Sequence, residues 1–178
     1  MHEEVLKFWF EETKPAQWWK KDTEFDTRIS ERFSALHARV AQCELYQWRQ
    51  SARGRLAEII ILDQFSRNMF RNSPGAFVND HTALVLAQEA VGQGLDLLVN
   101  QVERGFIYLP YMHSESRAIH EVAERLYLQH GSQSGLEWER KHKAIIERFG
   151  RYPHRNAVLG RKSTAEEIAF LKQPGSHF

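Results

Sequence analysis

Cysteine is nearly absent. One residue, Cys43, stands in a chain of 178. An intrachain disulfide is therefore excluded, and a reducing compartment is the simple expectation. Long apolar runs are missing as well. The longest, Phe106 to Met112, is interrupted by Pro110 and falls far short of the roughly 20 residues a membrane helix needs. Neither sign of charge is in excess: 24 Lys and Arg face 23 Asp and Glu, a net +1. That balance argues against a nucleic-acid binder held by bulk electrostatics. The first residues, Met1-His-Glu-Glu4, are acidic where a signal peptide would be basic, so the expected location is cytoplasmic. Sustained period-two alternation is lacking too, and no sheet is expected. Phosphate-loop motifs do not occur. Gly92-Gln-Gly94 lacks the third glycine and the preceding strand of a dinucleotide fingerprint.

What is present is helical spacing. Hydrophobic residues make up 42% and charged residues 26%, an ordinary globular balance that excludes a disordered chain. The length suits one domain spanning 1–178. Val5, Phe8 and Trp9 mark a short helix over about 3–12. Asp22 is a plausible cap for a long helix with Phe25, Ile29, Phe33, Leu36 and Val40 as its stripe. Further apolar stripes run from about Arg53 to Phe70, after Asn79 or Asp80, from Leu97 to Leu109, and from Ser114 to His130. Pro110 is expected to end or kink the Leu97–Leu109 helix. Ser134 to Glu137 and Ser163 to Glu166 have capping-box spacing. The expectation is an all-α domain of seven to eight short antiparallel helices joined as hairpins.

Chemistry-bearing residues gather in three segments. In the first, Asp63 and Arg67 stand at i, i+4, with Asn68 and Arg71 extending the polar patch. A pocket wall and a buried network explain that mixture equally well. In the second, His113-Ser-Glu115 follows the proline-broken turn. Neighbours on a helix diverge by about 100° each, so these three form no relay among themselves, but each is free to face a partner from elsewhere. Glu115 shares a face with Ile119, Val122 and Leu126. In the third, Arg148, Arg151, Arg155, Arg161 and Lys162 occur without an intervening Asp or Glu, together with His154. Arginine forks suit carboxylate or phosphate, and the loop 150–156 reads either as an anion-binding loop or as arginines paired with glutamates on other helices.

Other motifs read as structural. His120 and Glu124 share a helix face at i, i+4 but lack a second histidine ligand. Glu139-x-x-His142 has di-metal spacing without a second copy. No metal or cofactor is expected. His142 lies on an apolar stripe with Trp138, Ile145 and Phe149 and is read first as a hydrogen-bonded core histidine. Of Trp18 and Trp19, at least one should lid the core.

Lys7-Phe-Trp-Phe10, the run Leu62 to Arg71, Tyr108 to Glu115, and Phe149 to Asn156 followed by Leu159-Gly-Arg161 resemble the bacterial family called domain of unknown function 924. The likeness covers essentially the whole chain in order. It implies an all-helical, tetratricopeptide-like fold and no assigned activity. Its characteristic polar segments correspond here to Asp63, Arg67, Asn68, His113, Glu115, Arg151, His154, Arg155 and Asn156. The working expectation is that these segments meet in one cleft. There Asp63, Arg67, Asn68, Arg151, Arg155 and Asn156 would hold a small anionic ligand or a peptide carboxylate, with His113, Glu115 and His154 as candidate acid–base groups. The competing expectation is a peptide-binding helical module without catalysis. Neither nucleic acid nor membrane is an expected partner, and the oligomeric state is open.

Overall fold

A computed structural model describes residues 1–176 of the chain. These residues form helices, turns and loops, with no strand among them. The fold is organised around a rod that starts at Ser51. The Ser51 hydroxyl accepts from the Gly54 N–H and opens α4 (Ala52–Ile60). A glycine is required at position 54, because an added Cβ would lie 2.2 Å from the Trp48 carbonyl oxygen. After α4 the backbone widens into a π-helical turn (Ile61–Phe65) and tightens again as α5 (Ser66–Met69). Residues 54–66 of this rod are buried without a break. A helix covered on all sides must be central, and every polar group on it needs a partner inside the protein.

The other elements wrap this rod. α1 (His2–Lys7), continued by a second π turn (Phe8–Glu12), packs on α4. After the short α2 (Pro15–Trp18), α3 (Thr23–Ala41) lies along α5 and the rod's π turn. Asp22 caps α3 by accepting from Glu24 N–H and Phe25 N–H. α6 (Asp80–Gly92) and α7 (Gln101–Met112) close the other side of α4. α8 (Arg117–His130) and α9 (Gln133–Phe149) form a hairpin against α7. Gly150, at φ +69°, stops α9 in the left-handed conformation that glycine adopts freely. A loop and the short α10 (Ala165–Phe170) follow.

Three helix starts differ from the sequence expectation. α7 begins at Gln101 rather than near Leu97, because Asn100 and Glu103 form a reciprocal capping box and 95–98 is a separate 3₁₀ turn. α9 is capped by Ser132, which accepts from Gly135 N–H, and not by a Ser134–Glu137 box. α10 uses the box Thr164–Glu167, one residue later than expected, since the Ser163 hydroxyl is taken by Asn156. Pro110 does not end α7, which runs on to Met112.

Two apolar cores result. The larger joins α1, α3, the rod, α6, α7 and α8 and is rich in rings. Trp9 alone meets Trp18, Phe25, Phe65 and Phe106 at ring-centre distances of 5.5–6.1 Å. Trp18 edges onto Phe106 at 5.0 Å, and Trp19 stacks on the same ring while remaining exposed. The smaller core holds Ile145, Ile146 and Tyr152 against Phe149 and Phe170. No helix among the described residues is long and apolar enough to cross a membrane.

Candidate functional site

Between the two cores lies a polar layer, and the rod's π turn feeds it. Phe65 on that turn packs into the aromatic core, while Asp63 faces the opposite way, its side chain 1% exposed. A carboxylate that deep must be fully engaged. Gln64 donates to Oδ2 at 2.6 Å. Arg67, one turn on, stands 3.0 Å from Oδ1. The third partner comes from 50 residues away: His113 Nδ1 lies 2.7 Å from Oδ1.

Arg67 also forks onto Asp80, at 2.9 and 3.0 Å. Asp80 is the first residue of α6, and its other partner is Arg155, at 3.2 Å. Arg155 in turn donates to the His113 carbonyl at 3.0 Å, closing a ring of contacts among the rod, α6, the end of α7 and the loop after α9. Phe77 lies beneath both guanidiniums, 5.6 Å from Arg67 and 4.7 Å from Arg155. Arg155 also covers the Tyr152 ring at 4.6 Å. Its Nε is buried with no hydrogen-bond partner among the described residues.

The electrostatics of this ring are set by burial and pairing. Burial resists charge on Asp63, but the Arg67 guanidinium and the His113 imidazole outweigh it and hold the carboxyl well below the usual carboxylate range. Burial also pushes the His113 imidazole down, and the nearby Arg67 charge acts the same way against the opposing pull of Asp63. His113 is therefore neutral at neutral pH. Because ionised Asp63 only accepts, the ring hydrogen sits on Nδ1 and Nε2 keeps its lone pair. Nε2 has no hydrogen-bond partner among the described residues, and the side chain is 15% exposed. Two guanidiniums against two carboxylates leave the ring with no formal charge.

The expected site residues divide. Asp63, Arg67, His113 and Arg155 come together. Glu115 lies beside them but is occupied: Arg161 takes both its oxygens at 2.6 and 2.9 Å, and Tyr152 N–H adds a third bond at 2.7 Å. Burial opposes its charge, but Arg161 and that N–H hold its carboxyl below the ordinary range. His154 is half-buried, its ring 5.5 Å from Tyr152. Asn156 is fully buried and bonds to Ser163. Asn68 is not in the ring; with Arg71 it binds Asp26 on α3. Arg151 is not there either, since it pairs with Glu167 of α10 at 2.7 Å. The arginine-rich segment is thus largely matched by acids from elsewhere: Arg148 with Glu166, Arg151 with Glu167, Arg155 with Asp80 and Arg161 with Glu115.

Asp80 is the member that sequence reasoning missed. Its position beside a helix start marks it only as a cap. His142 borders the ring, 6.5 Å from His113 between ring centres. Its Nδ1 donates to the Trp138 carbonyl, and burial drives its pKa down to about 3. His120 and Glu139, read from sequence as parts of incomplete metal motifs, are instead a fully buried pair at 2.6 Å. Among the described residues no group of three or more His, Cys, Asp or Glu side chains is placed to hold a metal ion. A surface groove of about 650 Å³ runs between α9 and the C-terminal segment, with Trp138, Ile145, Phe149 and Phe170 on its walls.

Comparison with curated proteins finds no match. Among solved structures the chain is similar to ATU0120 from Agrobacterium tumefaciens, described as a protein of unknown function, with a TM-score of 0.91, 36% identity and 96% of each chain covered. The family model that matches describes a bacterial protein of unknown function and extends over residues 5–175, so the chain belongs to the DUF924 family.

Proposed function

We propose that the protein binds a small ligand over His113 and moves a proton on it, with Nε2 as the base and Asp63 orienting the ring. The observation that carries this reading is the Asp63–His113 pair: a buried, ionised carboxylate on Nδ1 and a lone pair left open on Nε2. This is the arrangement a positioned general base requires. Arg67 and Arg155 flank it as forks for an acidic group on the ligand. Since Asp80 and Asp63 already neutralise them, selectivity for an anion would come from donor geometry rather than from net field.

The test is a thermal-shift screen of carboxylates and phosphorylated metabolites on the parent and a His113→Gln variant. A ligand that binds the native state raises Tm by mass action. The expected result is a shift in the parent that is lost in the variant. Equal shifts in both, or none in the parent, would refute the reading. A second reading, a peptide held without catalysis, is favoured by the half-exposed Trp138 on the groove wall. It predicts that peptide binding survives His113→Gln and is lost in Trp138→Ala.

A further inference from the structure

A helix leaves its last carbonyls without backbone donors. At the end of α7 three successive carbonyls are each taken by a side chain. Tyr152 Oη donates to Met112 O at 2.5 Å, Arg155 Nη2 to His113 O at 3.0 Å, and His120 Nε2 faces Ser114 O at 2.9 Å. His113 is the middle residue. Its own carbonyl and those on both sides are therefore pinned, and the pins come from α8 and from the loop after α9.

Hydrogen accounting makes the His120 pin specific. Nε2 faces the Ser114 carbonyl and, at 3.3 Å, the Tyr152 hydroxyl oxygen. That hydroxyl has already given its proton to Met112 O. Both neighbours of Nε2 therefore act as acceptors, so Nε2 carries the hydrogen. The other ring nitrogen, Nδ1, is 2.6 Å from Glu139 Oε1. One further proton is shared between Nδ1 and Oε1, whichever of the two holds it. Both side chains are 0% exposed, and Glu139 Oε2 is buried without a partner among the described residues. A buried carboxyl with one oxygen unsatisfied is costly to keep. Its one evident service here is to fix the tautomer and the orientation of His120.

We propose that Tyr152, His120 and Glu139 are positioning residues for His113: by clamping the backbone on both sides of it, they set the angle at which its imidazole meets Asp63 and presents Nε2. This rests on the reading of His113 as the proton-transfer group. The alternative is that the three side chains only stabilise the junction of α7, α8 and α9.

Imidazole nitrogen NMR of the full-length chain, followed through a pH titration, separates these roles. The parent spectrum is the first readout. Hydrogen on Nδ1 of His113 is expected; hydrogen on Nε2 instead would overturn the reading of His113 and this inference with it. The variants come second. Tyr152→Phe removes a single hydroxyl, and His120→Leu removes the donor to Ser114. Each should mix the His113 tautomers and move its titration midpoint by about half a pH unit or more towards that of a free imidazole. His120→Gln places an amide N–H where Nε2–H stood and should restore the parent titration. If the His113 tautomer and midpoint stay at parent values in Tyr152→Phe while Tm falls, the clamp is merely structural and the inference fails, with the reading of His113 intact. Should His120→Leu fail to fold, Tyr152→Phe and His120→Gln decide the question.

Discussion

Around Trp9, four rings pack at 5.5–6.1 Å. Around His113, Asp63 and Arg67 from the rod, Asp80 from α6 and Arg155 from the loop after α9 form a ring of ion pairs and hydrogen bonds of 2.7–3.2 Å. Asp63 and Phe65, two residues apart on one π turn, each serve one of these regions. The first region is held by area and dispersion, which are non-directional and independent of pH. The second is held by directional contacts between groups that titrate. The difference separates two jobs. The aromatic region supplies rigidity, and the polar region spends stability on geometry. Interruptions of helix regularity by π turns are frequent at functional sites, and here one such turn carries a residue of each region.

The comparison predicts how each region breaks. Trp9→Ala should be the most damaging change, at about 3–5 kcal/mol by urea denaturation, because it opens a large void where four rings converge. It should leave the pH dependence of stability as in the parent. Asp63→Ala should follow at about 3 kcal/mol, because in a buried site it takes one of the two carboxylates that compensate Arg67 and removes the His113 partner. If Asp63→Ala proved neutral, the polar region would be ornament on a core that folds without it.

Acid should find the second region first. Burial lowers the pKa values of His113 and of His142 beside it. A depressed histidine is neutral when folded and takes up its proton on unfolding. Stability is therefore complete above the unfolded pKa of about 6.5 and is lost as pH falls from there towards the folded value. For His142, at about 3 when folded, the loss between pH 7.5 and pH 5 reaches about 2 kcal/mol. Urea midpoints at the two pH values measure it, and His142→Gln should flatten the slope. An unchanged slope in that variant would remove His142 from the account.

Much of the frame was legible in the chain. The stripe from Phe25 to Val40, the Asp22 cap and the i, i+4 pair Asp63–Arg67 are local patterns, and local patterns are what periodicity reports. Asp80 was not legible as a site residue, because its meaning lies in Arg155, 75 residues away. The π turn was hidden for a different reason: one extra residue per turn leaves the apolar spacing of 56–65 looking helical. Helix starts slipped where a neighbouring group competed for the capping oxygen, as Asn156 does for Ser163.

The arginine-rich segment gave the strongest charge signal in the sequence, and it sets up the smallest predicted effect. Arg148 and Glu166 pair at 2.8 Å with side chains 49% and 62% exposed. In water such a pair is screened, and ordering two long side chains offsets its attraction. Glu166→Gln removes the charge while Arg148 keeps its place over Phe149 at 4.8 Å, so packing is preserved. The expected loss is at most about 0.5 kcal/mol, vanishing in high salt. Arg155 is buried where Arg148 is exposed, its side chain being 7% exposed, and Asp80→Asn should cost several times more because it leaves that arginine without its acid and takes one of the two acids from Arg67. Equal costs for the two substitutions would mean that burial does not set the value of these pairs, and the contrast between the polar layer and the surface would collapse.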